Sequence, residues 1–170
     1  LRFDSSKYSL YKEYLYDILK VYMAYSGRYI PTNPDKYKGN PMKIIYRSLW
    51  ERRLMVYCDK KTNVLEWGSE EIVIPYYSPL DGKMHRYYPD FYMTVKQKDG
   101  SIKKFIVEVK PKKDMKKPSA NPKKRTKAWL KSVKTYAMNE AKFKYAKDFC
   151  KDKGLEFLIL NEDHLAPKYK

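Results

Sequence analysis

Two stretches of the chain, residues 87–95 and 103–110, alternate apolar and polar residues in the way that half-buried strands do. Between them lies Gln97-Lys98-Asp99-Gly100, which carries an Asp-Gly turn signal. We therefore predict that the two stretches pair as an antiparallel hairpin, with the first of them as the central strand of a sheet.

The register of this hairpin brings Asp90, near the start of the first strand, beside Glu108 and Lys110, near the end of the second. Glu108 and Lys110 are two residues apart, so their side chains project from the same face of the strand. Val107 and Val109 alternate with them and are expected to point into the core. Two carboxylates and one ammonium group thus converge at one edge of the sheet.

A pair of carboxylates is costly to bury without a cation, so a divalent metal ion is the natural third partner of Asp90 and Glu108. Mg²⁺ fits best, because it is a hard ion that binds one or two carboxylates, keeps several waters and is also bound by phosphate oxygens. A simpler interpretation stays open. Asp90 would then end a turn, and Glu108 and Lys110 would form an ordinary charge pair on an exposed face.

Apolar residues recur at helical spacing over residues 1–22, which predicts an amphipathic helix. Met23-Ala24-Tyr25 looks like the start of a protein in its own right. We therefore interpret residues 1–22 as an N-terminal helical extension and residues 23–170 as the main domain. The helix would be either an arm that binds a partner or an element laid over the core.

The remaining pattern predicts an α/β fold. A helix begins near Ser48, and strands follow over residues 63–67 and 71–77, with a Pro-Leu-Asp-Gly turn leading into the central strand. Three antiparallel strands would then run in succession. A long helix, with Asn139 as a candidate break, leads to a short buried strand over residues 155–160, which should be parallel to its neighbour because a helix connects the two.

The composition favours a polyanionic partner. The 170 residues include 37 Lys and Arg against 20 Asp and Glu, a formal net charge of +17, and nucleic acid is the commonest partner of such a chain. There is no long apolar run, lipidation signal or secretory signal peptide, which argues against a membrane. Cys58 and Cys150 lack the neighbours of a zinc site, and we expect them to be reduced core thiols of a cytoplasmic protein.

Basic residues are concentrated directly after the proposed metal ligands. Between Pro111 and Lys134 there are ten Lys or Arg against the single Asp114, and Pro111, Pro118 and Pro122 are expected to keep the first part extended. A charge run is usually only a solvated surface, but this one leaves the proposed site itself and would hold DNA phosphates within its reach. The residues that we assign to DNA binding are Arg86, Lys112, Lys113, Lys116, Lys117, Lys123, Lys124, Arg125 and Lys127.

Pro89-Asp90 followed by Glu108-Val109-Lys110 resembles the PD-(D/E)xK nuclease signature. The resemblance implies a restriction-endonuclease-like α/β core, with a mixed central sheet flanked by helices. It also implies that the Lys positions or activates the attacking water while the two acids hold Mg²⁺, with Mn²⁺ as a substitute. The implied catalytic residues are Glu51, Asp90, Glu108 and Lys110, and the implied metal ligands are Asp90, Glu108, the Val109 carbonyl and Glu51.

Glu51 has two possible roles. Ser48-Leu49-Trp50-Glu51 has capping-box spacing, in which the Glu51 side chain would bond the backbone at the start of its own helix. In the nuclease fold the same helix supplies a further acid to the metal site, and Glu51 is the position that matches. We favour the site role, because the helix precedes the sheet in the order that the fold requires.

Nearly everything after Met23 is similar to the head-completion nucleases of T-even-type tailed phages, which themselves resemble the TnsA transposition endonucleases. Segments that carry the similarity include residues 45–51, 66–71, 85–92 and 108–113. The resemblance implies a Mg²⁺-dependent endodeoxyribonuclease that acts on DNA ends or junctions at the filled head, before the tail joins. The implied partners are DNA and the portal, neck or capsid proteins of the phage, and the implied location is the host cytoplasm or the virion.

Two other functions stay open. A structural head-tail joining protein would bind DNA or capsid protein without needing to cut, and the extra helix and the basic charge would suit it. A TnsA-like or resolvase-like endonuclease would instead act outside any virion. Replacing Asp90 separates a binding protein from a nuclease, because a binding protein should tolerate the change.

Overall fold

The computed structural model describes residues 26–165 and has the predicted mixed α/β character. The predicted helix over residues 1–22 lies outside the described residues, so the N-terminal extension stays a prediction. The elements in chain order are β1 (Gly27–Arg28), β2 (Ile45–Tyr46), α1 (Leu49–Lys60), β3 (Val64–Ser69), β4 (Ile74–Ser78), β5 (Lys83–Tyr87), β6 (Phe91–Lys96), β7 (Ile102–Val109), α2 (Lys112–Met115), α3 (Lys127–Lys153), β8 (Glu156–Leu160) and α4 (Glu162–Leu165).

The central sheet has four strands in the order β3-β6-β7-β8. The predicted hairpin is confirmed as the antiparallel pair β6–β7, in which Phe91 lies opposite Val107 and Lys96 lies opposite Ile102. The last strand, β8, is parallel to β7, as predicted, because α3 carries the chain back along the sheet before β8 begins.

The predicted succession of three antiparallel strands in this sheet is wrong. Strand β4 pairs with β5 in a separate two-stranded ribbon, and β3 pairs directly with β6. The predicted strand over residues 87–95 is interrupted, since Tyr87 ends β5 and Phe91 begins β6. Pro89 lies in the interruption and has no N–H to donate to a ladder, which favours a strand ending there.

The sheet separates two hydrophobic cores. One face packs against α1, and the residues of that core include Trp50, Leu54, Met55, Trp67, Phe91, Val107 and Val109. The other core lies between the ribbon and α3, and its buried members are Ile74, Tyr76, Tyr87 and Ala146. Because successive side chains of a strand alternate between faces, Glu108 projects away from the α1 core, towards the ribbon and α3.

Local signals explain both long helices. The Ser48 side chain accepts a hydrogen bond from the Glu51 amide at the start of α1, and the Thr126 side chain caps α3 in the same way. At the end of α3, Gly154 has a φ of 65°, a left-handed conformation that glycine adopts without strain. Within the described part of the chain, no helix is both long and apolar enough to cross a membrane.

Two predictions about the second half of the chain are wrong. Helix α3 runs without a break through Asn139, whose side chain is buried and donates to the Asp114 carbonyl at 3.3 Å instead of competing for the helix backbone. The segment after Pro111 begins with the helical turn α2 and not with an extended strand. Proline fits at the start of a helix, where an N–H would have no partner.

Cys58 and Cys150 are buried free thiols, as predicted.

The loop before α1 is fixed to the far end of that helix by the buried side chain of Asp59. This carboxylate accepts hydrogen bonds at 2.8 Å from the Tyr29 hydroxyl and from the Thr32 and Asn33 amides. Burial would raise the pKa of Asp59, but these hydrogen bonds lower it below its ordinary value. The Lys36 ammonium adds hydrogen bonds to three carbonyls at the end of α1.

We expect Asp59→Ala to lower the free energy of unfolding by about 3 kcal/mol, because it leaves the buried Tyr29 hydroxyl and the partly buried Thr32 and Asn33 amides without their acceptor. Urea denaturation followed by tryptophan fluorescence would measure the change. Asp148→Ala removes an exposed carboxylate from α3 and should change stability by less than about 0.5 kcal/mol. Equal stability of the two variants would contradict the structural role of Asp59.

Candidate active site

Asp90 is held in place through both its side chain and its backbone. Its Oδ2 atom accepts a hydrogen bond of 2.6 Å from the Val109 amide on the neighbouring strand. Its carbonyl accepts a hydrogen bond of 3.2 Å from the Glu70 amide at the end of β3. Asp90 is therefore fixed at the point where the ribbon ends and the central strand β6 begins.

Glu108 lies beside Asp90 and is only 4% exposed. Its Oε2 atom accepts a hydrogen bond of 2.6 Å from the Tyr87 hydroxyl. Its Oε1 atom lies 2.9 Å from the Lys110 ammonium. The structure thus brings Asp90, Glu108 and Lys110 together at one end of the β6–β7 pair, where the alternation along the chain placed them.

The two carboxylates repel each other. Burial, and then the charge of Glu108, raise the pKa of Asp90 well above its ordinary value. Burial would lower the pKa of Lys110, but attraction to Glu108, the hydrogen bond to Glu108 and attraction to Asp90 together raise it. Lys110 is therefore held as an ammonium group, which suits it to stabilise negative charge and not to accept a proton.

Glu51 has the predicted capping geometry. The Ser48 hydroxyl donates to its Oε1 atom at 2.8 Å, and the Arg47 amide donates to its Oε2 atom at 2.7 Å. Burial raises the pKa of Glu51, and the charge of Glu70 acts in the same direction. Both oxygens are engaged at the start of α1, and the role of Glu51 as a metal ligand stays a prediction.

Arg47 and Glu70 border the site, and neither was assigned to it from the sequence. The Arg47 guanidinium binds both carboxylate oxygens of Glu70, at 3.0 and 2.8 Å. Glu70 has a φ of 55°, a conformation that non-glycine residues rarely adopt and that a sequence does not reveal. The hydrogen bond to Glu70 raises the pKa of Arg47, and the charges of Glu70, Glu51 and Asp90 raise it further.

Sequence reasoning also missed two residues on the α3 side of the site. Tyr87, from the end of the ribbon, donates to Glu108, and burial together with the charge of Glu108 raises the pKa of this tyrosine. The ammonium of Lys142, from α3, lies 5.4 Å from the centre of the Tyr87 ring. A signal for Lys142 was present, because it falls in the apolar stripe of α3, four residues after Met138 and four before Ala146.

The nine residues assigned to DNA binding are all exposed. Lys112 is engaged in an ion pair with Asp163 and donates its amide to Glu162, so it joins α2 to α4. Lys113 and Lys116 line a cleft of about 200 Å³ between the segment after β7 and the first turns of α3. Arg125 lies over the ring of Trp129 at 5.9 Å.

The donor set at the site fits a magnesium-type ion. Across residues 26–165, no group of three or more His, Cys, Asp and Glu side chains converges into a closed metal cage. Asp90 and Glu108 instead place two carboxylates side by side, and Mg²⁺ binds one or two carboxylates while keeping several waters. The repulsion that raises the pKa of Asp90 is the kind of strain that a dication relieves.

Two comparisons relate the chain to known proteins. Residues 61–162 match the family of the TnsA-like endonuclease N-terminal domain. The head completion nuclease of Enterobacteria phage T4 is 40% identical over 147 residues, which cover 84% of this chain and 95% of that protein. The family match includes Asp90, Glu108 and Lys110, whereas Glu51 precedes it.

We expect Asp90→Asn to raise the free energy of unfolding at pH 7 by about 1 kcal/mol when EDTA removes divalent ions, because it ends the repulsion with Glu108. A raised pKa in the folded protein means that ionisation of Asp90 costs stability. The difference from the wild type should therefore shrink as the pH falls towards about 4 and Asp90 gains its proton.

Urea denaturation at several pH values would measure the effect of Asp90→Asn. Asp152→Asn, at an exposed position of α3, is the matched control and should follow the wild type at every pH. A loss of stability in Asp90→Asn at pH 7 would show that the pair is not under electrostatic strain.

Proposed function

The chain belongs to the TnsA-like endonuclease family, and from this premise we propose that it is a metal-dependent endodeoxyribonuclease that acts in completion of the phage head, before the tail joins. The observation that carries the proposal is the placement of Asp90 and Glu108 side by side, with Lys110 at 2.9 Å from Glu108. The restriction-endonuclease-like fold of the family agrees with the mixed sheet. The similarity to the phage T4 protein over most of both chains supports the role in head completion.

Asp90, Glu108 and the Val109 carbonyl would hold the metal ion, and we expect Mg²⁺ as the cofactor with Mn²⁺ as a substitute. When bound, the ion supplies Lewis-acid polarisation of the scissile phosphate and a bound water of lowered pKa. Each oxygen of Glu51 accepts one hydrogen bond at the start of α1, as each oxygen of Glu108 is engaged at the site, so Glu51 would join the ligands through the lone pairs that these bonds leave free.

The protein's own residues orient the acids and stabilise charge. The Val109 amide and the Tyr87 hydroxyl each fix one carboxylate, so neither acid has to reorganise when the substrate binds. In hydrolysis a water oxygen bonds to phosphorus as the bond from phosphorus to the leaving sugar oxygen breaks. The Lys110 ammonium lies where it can stabilise the negative charge that develops on the phosphoryl oxygens.

The exposed basic residues would hold the DNA backbone next to this pair of acids. Contacts with phosphate give affinity and position without sequence information. The lysines of the segment after β7 and the exposed Arg86 of the ribbon are suited to this role, because that segment follows Lys110 directly and Arg86 directly precedes Tyr87. We propose DNA ends or junctions as the substrate, the host cytoplasm as the place of action, and portal, neck or capsid proteins as partners.

A structural head-tail joining protein that binds DNA without cutting it is the second candidate, favoured by the net charge of +17. The third is an endonuclease that acts outside any virion, favoured by the match to the TnsA-like family. The three candidates differ in two observable properties, which are cleavage and the requirement for it in producing infectious particles.

We expect purified protein to cut supercoiled, linear, flapped or branched DNA in Mg²⁺, and EDTA, Asp90→Asn and Glu108→Gln each to reduce the cleavage rate at least about 10³-fold. Both variants keep the size of the side chain and one acceptor oxygen, but they remove the charge and replace the second oxygen by an NH₂ donor. Gel analysis of the products would measure the rate and identify the preferred DNA structure.

Asp152→Asn should cut at the wild-type rate and serves as the control for removal of a carboxylate. If the wild type and Asp90→Asn bind DNA equally and neither cuts any of the substrates, the joining protein becomes the better assignment. Cutting without any effect of Asp90 or Glu108 would place the active site elsewhere.

We also expect DNA affinity to fall steeply with salt, through release of counterions from the phosphates. Replacing Lys116, Lys117, Lys123 and Lys124 by Gln should reduce the slope of log K against log salt by about one to three, since each phosphate contact contributes about 0.9. Fluorescence anisotropy of labelled DNA over a range of salt concentrations would measure the slopes.

The matched control removes the same charge from exposed lysines outside that segment. Replacing Lys98, Lys147, Lys151 and Lys153 by Gln should leave more of the slope intact than the first set does. Equal slopes for the two sets would mean that the segment after β7 does not carry the DNA backbone.

A further inference from the structure

Lys142 occupies an unusual position on α3. The face of this helix that packs against the ribbon and the sheet is apolar, and it includes Met138, Ala141, Tyr145, Ala146 and Phe149. Lys142 lies one turn from Met138 and one turn from Ala146 on the same face. A charged side chain within an apolar face normally has a partner or a function.

The ammonium of Lys142 points towards the candidate active site. It lies 5.4 Å from the centre of the Tyr87 ring and 5.7 Å from the centre of the Tyr76 ring. The hydroxyl of Tyr87 donates to Glu108 at 2.6 Å, so one aromatic ring connects the lysine to the carboxylate. Burial lowers the pKa of Lys142, and the other charges that act on it are those of Glu108, Lys110 and Asp90.

Packing alone does not explain this lysine. Among the described residues, the carboxylate of Glu108 is already paired with Lys110, and Lys142 forms no ion pair within 4.0 Å. The two tyrosine rings attract the cation, but they accept no full hydrogen bond from its N–H groups. The half-buried ammonium therefore faces the site with hydrogen bonds to offer to an anion.

We propose that Lys142 is a second active-site lysine, which binds the scissile phosphate from the α3 side while Lys110 acts from the strand. This inference rests on the proposed nuclease function and adds a substrate-binding residue to it. The ammonium groups of Lys110 and Lys142 balance the two negative charges of Asp90 and Glu108. A bound dication would then give the site a net positive charge, which would stabilise the phosphodiester and the attacking hydroxide. Tyr76 and Tyr87 then act as positioning residues that aim the lysine.

The test compares four variants on the DNA that the wild type cuts best. Lys142→Met suits the apolar face and should keep or raise the melting temperature, but we expect it to lower kcat about 10²-fold, with a smaller rise in KM from the lost phosphate contact. Lys142→Gln should also lower kcat. Lys142→Arg keeps the cation and should recover at least about a tenth of the wild-type kcat. Lys144→Gln, at an exposed position two residues away, should leave kcat unchanged.

A second readout does not depend on cleavage. The slope of log K against log salt for DNA binding, measured with EDTA, should fall by about 0.9 in Lys142→Met, because one phosphate contact is lost. A stable Lys142→Met protein with wild-type kcat would overturn the inference while the proposed nuclease function stands. If the wild type cuts no DNA, the proposed function fails. If Lys142→Met also shows the same slope of log K against log salt as the wild type, the role of Lys142 in binding phosphate is overturned as well.

Discussion

The repulsion between Asp90 and Glu108 is the constraint on which the rest of the site depends. The register of β6 and β7 forces these carboxylates together, and burial increases the cost of having both ionised. Three neighbouring groups partly offset this repulsion, and each contacts a different carboxylate oxygen. The amide of Val109 contacts Asp90, and the hydroxyl of Tyr87 and the ammonium of Lys110 contact Glu108. A pair of acids kept under such strain is more typical of a site that binds a cation than of a feature that stabilises the fold.

The β4–β5 ribbon, inserted in the chain between β3 and β6, helps to position the acids of the site. It lies outside the central sheet, but its last residue, Tyr87, fixes Glu108, and the chain reaches Asp90 three residues later. Its inner face, with Ile74 and Tyr76, forms a core with α3. That core sets the position of the helix relative to the acids. The ribbon therefore connects the packing of α3 to the geometry of the site.

The sequence predicted what depends on neighbouring residues along a strand or helix, and it failed where tertiary packing decides. Alternation was sufficient for the β6–β7 hairpin and for the convergence of Asp90, Glu108 and Lys110, because a strand pair fixes which side chains are adjacent. Alternation continues across Pro89, so it did not reveal that Tyr87 belongs to a different sheet. Asn139 looked like a helix break because its partner, the Asp114 carbonyl, is distant in sequence and only the fold brings it near.

The two predicted roles of Glu51 are compatible on energetic grounds. The side chain accepts one hydrogen bond from Ser48 and one from the Arg47 amide, and loss of a helix cap costs about 1 kcal/mol. A dication that relieves the repulsion between Asp90 and Glu108 would offset that cost, because each unit of pKa shift corresponds to about 1.4 kcal/mol. In the described structure Glu51 therefore stabilises the start of α1. Its negative charge also lies close enough to Asp90 to raise the pKa of that acid. The cap therefore holds a third acid beside the pair formed by Asp90 and Glu108.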